Sequence, residues 1–386
     1  MHDMMREVCL SKAKEENFLQ IIKDPTSTST INAQSPSRSR RLSIHSGKAF
    51  HLLGHKNNTK VRSLIVWDED FGIRSASVFH NLTLLRVLDL YWVKFEGGKL
   101  PSSIGGLIHL RYLSLFLAGV SHLPSTMRNL KLLLYLNLSV NNKEPIHVPN
   151  VLKEMIQLRY LSLPLKKDDK TKLELGDLVN LEFLFGFSTQ HSSVTDLLHM
   201  TKLRYLAVSL SERCNFETLS SSLRELRNLE TLYVLFSPEI FMVDYMGEFV
   251  LDHFIHLKEL GLAVRMSKIP DQHQLPPHLA QIYICNCRME EDPMPILEKL
   301  LHLKSVKLTF KAFAGRRMVC SKGGFTQLCA LKYLNNRSWK RDSRKGRCHV
   351  FIEGMKREWK EKLVPGGEDY YKVQHIPDVQ FINCDQ

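Results

Sequence analysis

An apolar spacing recurs along most of the chain at intervals of 22 to 28 residues. Its first clear copy is Leu82, Leu85, Leu88 and Leu90. Nine further copies follow, and their third apolar positions are Leu113, Leu136, Leu161, Leu184, Leu206, Leu232, Leu260, Ile282 and Val306. A period this short gives each copy too little chain to bury a core of its own, so it predicts a stack of equivalent coils.

The last two apolar positions of each copy lie at i and i+2, which predicts a β-strand because alternate side chains of a strand share one face. Coils stacked about 4.8 Å apart bury each leucine layer under the next. We therefore expect an α/β fold, a leucine-rich-repeat solenoid (horseshoe) with a parallel concave sheet. The convex side should be irregular with short helices, which return segments such as Leu100-Pro101-Ser102 would start by a serine cap.

The two ends of the chain differ in composition from the repeats. We expect a helical remnant at 1–23, a flexible linker at 24–40, the solenoid at 41–334 and an irregular basic segment with one or two terminal rungs at 335–386. The linker is rich in Ser, Thr and Pro, which favours a flexible connection. Residues 337–347 hold six basic residues against one acidic residue, and the leucine period fails there.

Composition excludes some classes of protein. With 44% apolar residues and a net charge of +13, the chain has an ordinary globular balance, and no apolar run reaches the roughly 18 residues of a membrane helix. The first residues lack the basic start and apolar stretch of a secretory signal, so we expect a cytoplasmic location. Membrane-peripheral or nuclear placement through partners stays open.

Two sequence features carry a family resemblance. Met1-His2-Asp3 opens the chain, and residues 100–115 read Leu-Pro-Ser-Ser-Ile-Gly-Gly-Leu-Ile-His-Leu-Arg-Tyr-Leu-Ser-Leu. With these features the chain resembles the C-terminal portion of plant coiled-coil nucleotide-binding leucine-rich-repeat disease-resistance proteins, in the downy-mildew and virus resistance subgroup. In that family the Met-His-Asp motif closes the nucleotide-binding domain. The resemblance implies that His2 would read the ADP phosphate and that Asp3 would hold the resting state.

The sequence contains no Gly-x-x-x-x-Gly-Lys-Ser/Thr phosphate loop. We therefore interpret His2 and Asp3 as a vestige and expect no cofactor here, with ADP or ATP bound only by full-length family members. No hydrolase, zinc-protease or dinucleotide motif occurs either, so we expect no enzyme. The predicted function is a protein-interaction solenoid that senses a pathogen effector or a guarded host protein and regulates a nucleotide-binding domain in trans. An ADP/ATP switch and an inert truncated member are the alternatives.

Aromatic residues precede the first strand leucine on five successive coils. These candidate partner-binding residues are Tyr112, Tyr135, Tyr160, Phe183 and Tyr205. Neighbours expected to face the same way are Asp89, Tyr91, Phe116, Phe185, Tyr233 and Tyr283. In-register parallel strands would bring such rings within stacking range, so the pattern fits a recognition strip. It fits equally a self-stacked ladder that stiffens the sheet and contacts no partner.

Three pairs of residues have spacings that metal ligands also use. They are His51 with His55, His253 with His256, and Cys285 with Cys287. None has a third ligand at a telling distance, so we expect no metal site. Cys287 falls where leucine-rich repeats place Asn or Cys to bond the turn backbone.

The basic tract at 337–347 has two interpretations. Clustered Lys and Arg could bind nucleic acid or serve in nuclear import. A solvated insertion explains the same charges, because one charge run without a binding fold carries little information. We expect a protein partner and no nucleic acid.

Overall fold

The protein is described by a computed structural model. It covers residues 3–22, 40–45, 60–67, 72–73, 79–142, 144–211, 216–236, 251–315, 318–321, 324–334, 349–353, 361, 364–367 and 378–382. The chain divides into two compact units, which are described one at a time. Unit 1 comprises Met1–Gly186 and His191–Met200, and unit 2 comprises Phe187–Gln190 and Thr201–Gln386.

Unit 1 begins with helix α1 (Asp3–Glu15) and is otherwise built of short strands. They are β1 (Gln20–Ile22), β2 (Arg41–Ile44), β3 (Ser63–Trp67), β4 (Gly72–Ile73), β5 (Val87–Tyr91), β6 (Lys94–Phe95), β7 (Tyr112–Ser114), β8 (Tyr135–Asn137), β9 (Tyr160–Ser162) and β10 (Phe183–Ser188), the last of which begins in this unit. Strands β4 and β6 pair with each other, and the others form one parallel sheet in chain order. The pairing of β1 with β2 places Gln20–Ile22 in the sheet, ahead of the segment predicted as a linker.

Unit 2 repeats this arrangement. Its elements are β11 (Tyr205–Leu210), α2 (Phe216–Arg224), β12 (Thr231–Phe236), β13 (Glu259–Ala263), β14 (Gln281–Cys285), α3 (Met294–Leu297), β15 (Ser305–Thr309), β16 (Ala330–Leu334), β17 (His349–Glu353) and β18 (Asp378–Ile382). Every strand pairs in parallel with the next. Strands β17 and β18 lie within 335–386, where the sequence predicts one or two terminal rungs. The basic tract at 337–347 lies outside the described residues.

The strand register aligns the apolar repeat positions from coil to coil. Leu88 pairs with Leu113, Leu113 with Leu136, and Leu136 with Leu161. All four side chains are fully buried. In β5 the side chains alternate between buried and half-buried positions, as the i and i+2 spacing predicts. The predicted class, a leucine-rich-repeat solenoid with a parallel sheet, is confirmed.

The return segments form 3-10 turns, and their starts differ from the prediction. Those at Ser102–Gly106 and Ser125–Asn129 have Pro101 and Pro124 at the N-cap, with no side-chain cap. The expected serine cap is therefore wrong at these turns, because proline holds the extended conformation that precedes the first turn. A serine cap does occur at Ser193, whose side chain accepts a hydrogen bond from the Thr195 amide.

Lys167, in the segment after β9, is buried among neutral groups. Its Nζ donates hydrogen bonds to the carbonyl oxygens of Pro164 at 2.7 Å and Gly186 at 2.9 Å. Burial lowers the pKa of Lys167 to about 8, because the charged form loses its hydration. The neighbouring His191 is also buried, and burial lowers its pKa as well.

The leucine spine predicts a large contrast between two leucines of one coil. Leu136→Ala removes a fully buried side chain, so we expect the free energy of unfolding to fall by about 2–5 kcal/mol. Leu132→Ala makes the same chemical change at a side chain that is 44% exposed, and its cost should stay below about 0.5 kcal/mol. Urea denaturation of both variants measures the difference. Similar losses in the two variants would contradict a buried spine.

Lys167 predicts that unit 1 becomes more stable in mild alkali. The folded lysine releases its proton above a pH of about 8, whereas the unfolded lysine keeps it up to about 10.5. The unfolded state therefore binds more protons in this window, and the free energy of unfolding should rise by about 2 kcal/mol from pH 8 to pH 10. Lys167→Met should lack this rise. Subtracting the free energy of unfolding of Lys167→Met from that of the unaltered chain at each pH cancels the contribution of the other titrating groups. If the two proteins show parallel pH profiles, the assignment to Lys167 is refuted.

Candidate functional site

Four aromatic rings on strands β7 to β10 stack face to face. We call Tyr112, Tyr135, Tyr160 and Phe183 the aromatic stack. Successive ring centroids lie 4.2, 4.0 and 4.2 Å apart, with interplanar angles of 11°, 12° and 8°. The strand register pairs these residues directly, which explains the close contact. Each ring is half-buried, so the rings support one another and keep one side toward solvent.

A second group of rings lies at the carboxyl ends of β3, β5 and β7. We call Trp67, Tyr91, Trp92 and Phe116 the tryptophan cluster. Tyr91 is its centre, with ring centroids 5.1 Å from Trp67, 5.7 Å from Trp92 and 5.7 Å from Phe116. Trp67 is 50% exposed and marks the solvent side of the cluster. The sequence predicted Tyr91 and Phe116 but not the two tryptophans.

The missed tryptophans carry different sequence signals. Trp67 could have been found, because it pairs with Tyr91 and so occupies the equivalent position one coil earlier. Trp92 could not, since its φ of 58° turns the chain out of the strand pattern. Its indole Nε1 is buried and has no hydrogen-bond partner among the described residues.

Asp89 lies on β5, two residues before Tyr91 of the tryptophan cluster, and β5 pairs with β7, the first strand of the aromatic stack. Its carboxylate is half-buried, and its Oδ1 is buried without a hydrogen-bond partner in the part of the chain that the structure describes. Desolvation raises the pKa of Asp89, partly offset by a hydrogen bond from Ser114. Burial also raises the pKa of Tyr112, and the charge of Asp89 adds to this shift. Asp89 therefore holds one buried acceptor that no described group satisfies.

The predicted aromatic residues of unit 2 are tilted instead of stacked. Tyr205 and Tyr233 have centroids 6.0 Å apart at 36°, and Tyr233 and Tyr283 have centroids 6.5 Å apart at 54°. The Tyr233 hydroxyl donates to Glu259. Gly261 lies beside Tyr233 in the register, and a Cβ built there would come within 2.1 Å of the ring. Gly261 is not among the predicted residues, yet it makes room for this ring.

Other candidate residues have separate positions. Phe185 is half-buried in β10. Asp3 is the first residue of α1, whereas His2, His51 and His55 lie outside the described residues.

Cys287 has a structural hydrogen bond. Its thiol donates to the carbonyl oxygen of Leu262 at 3.3 Å, and burial raises its pKa to about 12. His253 is half-buried against Phe254, whereas His256 is exposed. Within the described residues, no group of three or more His, Cys, Asp or Glu side chains could hold a metal ion. None of the described helices is long and apolar enough to cross a membrane.

The chain matches a family described as a leucine-rich repeat region over residues 60–341. It is 78% identical to "Disease resistance protein RPP8" of Arabidopsis thaliana, covering 100% of this chain and 46% of that protein. It is 58% identical to "Disease susceptibility protein LOV1" of the same species, covering 100% and 45%. The chain thus spans about half the length of these curated relatives.

One solved structure supports the fold. The functional domain of InlJ from Listeria monocytogenes superposes with a TM-score of 0.52 at 15% identity, covering 85% of this chain and 65% of that chain. At this identity the likeness concerns the fold alone. It agrees with the repeat period and the parallel strands described above.

The close approach of the Tyr233 ring to Gly261 predicts that a single methyl group added at Gly261 destabilises the fold. Gly261→Ala would push the Tyr233 ring away and break its hydrogen bond to Glu259, so we expect unfolding to become easier by about 1–3 kcal/mol. In a Tyr233→Ala background the same change should cost much less, because the obstructing ring is absent. Gly106→Ala is the matched control, since no atom lies within 4 Å of its added Cβ. Thermal denaturation of the four variants tests this, and an additive double variant would refute it.

Proposed function

Because the chain belongs to the leucine-rich-repeat region of plant disease-resistance proteins, we propose that it recognises a protein, either a pathogen effector or a guarded host protein, in the cytoplasm. The observation that carries the proposal is the tryptophan cluster with Asp89 beside it on the sheet of unit 1. A disease-resistance protein is among its relatives, and the fold offers a broad sheet on which a protein can lie.

The chemistry of this surface supports protein binding. Tryptophan and tyrosine are enriched among the residues that dominate binding energy at protein interfaces. Trp67 presents half of its surface to solvent, and its ring packs edge-on against Tyr91, so it is held ready for contact. The half-buried Asp89 carboxylate adds a polar group beside these rings, which favours a partner that brings a hydrogen-bond donor.

The aromatic stack supports the same surface in a different way. Its rings bury one another's faces, so a partner could cover only their edges. We assign the stack to stiffening the sheet beside the tryptophan cluster. A rigid platform lowers the ordering cost that binding must overcome.

Regulation of a nucleotide-binding domain is the second half of the proposal. The relatives are about twice the length of this chain, and the family resemblance places such a domain in them. Binding at the sheet would change signalling only if the bound state favours a different arrangement of that domain. In this proposal the chain supplies the recognition step.

The proposal predicts that partners depend on Trp67. In pathogen-challenged leaf tissue, proximity labelling by the full chain should identify a partner whose enrichment falls at least about tenfold in Trp67→Ala, the loss typical of a central interface aromatic. Asp89→Asn should lower the enrichment of the same partner. Ile255→Ala, which trims an exposed side chain of unit 2, is the control and should leave enrichment unchanged. Identical partner lists for all four proteins, each verified as folded by circular dichroism, would refute the proposal.

A further inference from the structure

The tryptophan cluster of unit 1 leaves aromatic ring faces open, unlike the aromatic stack. Trp67 and Tyr91 meet at an interplanar angle of 68°, and Tyr91 and Phe116 are tilted by 39°. His45, one coil before Trp67, has its ring centroid 6.5 Å away, whereas rings of the aromatic stack lie 4.0 to 4.2 Å apart. These rings therefore do not seal one another's faces, and Trp67 keeps 50% of its surface exposed. An exposed aromatic face carries partial negative charge and attracts cations.

Asp89 places a carboxylate beside these rings. It lies two residues before Tyr91 on β5, so both side chains are on one face of the sheet. Ser114 donates a hydrogen bond to it, and no Lys or Arg among the described residues forms an ion pair with it. The exposed Arg86 precedes it by three residues, about 10 Å along the strand. The ring faces and the half-buried carboxylate thus form one negatively polarised surface that has no counter-ion within the described part of the chain.

Comparable groups elsewhere in the described structure are satisfied from within the chain. Arg41 lies over the Phe18 ring, with its guanidinium carbon 4.1 Å from the ring centroid. In unit 2 the Tyr233 hydroxyl donates to Glu259 on the neighbouring strand, so that carboxylate already has a hydrogen bond from an aromatic residue. No Lys or Arg of the described ranges lies over a ring of the tryptophan cluster. Ring faces and a carboxylate therefore stand together there without a cation from the described chain.

We propose that the tryptophan cluster and Asp89 bind the side chain of one arginine of a partner protein. The guanidinium group would lie against the open faces of Trp67 and Tyr91 and donate a hydrogen bond to the accessible part of the Asp89 carboxylate. The inference rests on the proposed function, since it uses the same surface, and it adds the chemistry of the group that is recognised.

Arginine fits this surface better than other side chains. Its guanidinium is planar and weakly hydrated, and its N–H groups lie in the plane of the group, so it can stack and donate hydrogen bonds at once. The lysine ammonium is compact and strongly hydrated, so it gives up more hydration when it contacts a ring. An apolar side chain would cover the Asp89 carboxylate without a hydrogen bond, which is costly.

The charge of the whole chain favours a single inserted arginine over a basic segment. The net charge is +13, and Arg62, Arg86 and Arg111 occupy the starts of successive strands. A run of basic residues would meet this repulsion, because it spreads its charge over the surface. One arginine among neutral neighbours largely avoids it, since charges more than about 8 Å away are screened at physiological ionic strength. The expected recognition element is therefore one arginine in a segment that is not basic overall.

The test observes Trp67 directly in the full chain. Labelling with ¹⁵N-tryptophan gives four indole N–H signals, one for each tryptophan, and Trp67→Phe identifies the signal of Trp67. The probe is the peptide acetyl-Gly-Arg-Gly-amide. We expect it to shift the Trp67 signal with a dissociation constant of about 1–10 mM, as suits a single side chain. The citrulline peptide has the same planar outline without the charge and should bind at least about tenfold more weakly. The lysine peptide should bind at least about threefold more weakly.

Two pairs of variants assign the effect to the carboxylate and the rings. Asp89→Asn keeps the size of the side chain and should weaken binding of the arginine peptide at least about fivefold. Asp252→Asn removes the same charge from an exposed side chain of unit 2 and should bind like the unaltered chain. Tyr91→Leu should weaken binding by a similar factor, whereas Tyr91→Phe keeps a ring and should retain it. Circular dichroism verifies that each variant is folded.

Equal binding of the arginine and citrulline peptides, or an equal loss in Asp89→Asn and Asp252→Asn, would overturn the inference. So would a lysine peptide that binds as tightly as the arginine peptide. The inference and the proposed function can fail separately. If the arginine peptide does not shift the Trp67 signal, while partners that depend on Trp67 are still found in leaf tissue, only the inference is overturned. If the arginine peptide binds but no such partner is found, only the proposed function is overturned.

Discussion

Burial of one leucine layer by the next is the interaction on which both units depend. A single coil contributes only a short strand, such as the three residues of β8, and cannot cover its own apolar face. The fully buried Leu113, Leu136 and Leu161 are covered by the coils on either side. Because the strand register has a period of two, a slip of one residue would turn every leucine outward. The leucine spine therefore fixes the register, because a slipped register would expose these leucines to water at a large cost in free energy.

A fixed register converts the sequence of each coil into columns on the surface. Residues at equivalent positions lie about 4.8 Å from their counterparts, whatever their chemistry. At one position this gives the aromatic stack, in which neighbouring rings attract one another. One residue earlier it gives Arg62, Arg86 and Arg111 on successive coils, where like charges lie side by side. Unit 2 uses the same position for Arg204, Glu230 and Lys258, so the scaffold itself does not require like charges there.

The leucine period was enough to predict β5, the strands from β7 to β15 and their buried leucines, because it reports directly on packing. It also located Tyr112, Tyr135, Tyr160 and Phe183, whose contact follows from register alone. Other features depend on local geometry that a period does not encode. The left-handed backbone of Trp92, the space above Gly261 and the carbonyl partners of Lys167 arise from single-residue conformations and contacts between coils. The ion pair between Arg159 and Glu182 likewise joins two coils, so it is found only once both coils are placed in space.

The surface residues of unit 1 differ in how many of their contacts are already made within the chain. This difference decides which residues can distinguish one bound protein from another. The rings of the aromatic stack cover one another's faces. Exchanging one bound protein for another would therefore change little of the area that these rings bury. Asp89 Oδ1 and Trp92 Nε1 are buried and have no hydrogen-bond partner among the described residues. The free energy needed to remove water from them is therefore already included in the folding of the free protein. Both atoms are shielded from solvent, so a partner meets instead the exposed Trp67 ring and the accessible part of the half-buried Asp89 side chain. Selectivity on the sheet of unit 1 should therefore centre on the tryptophan cluster and Asp89, with the aromatic stack as its rigid support.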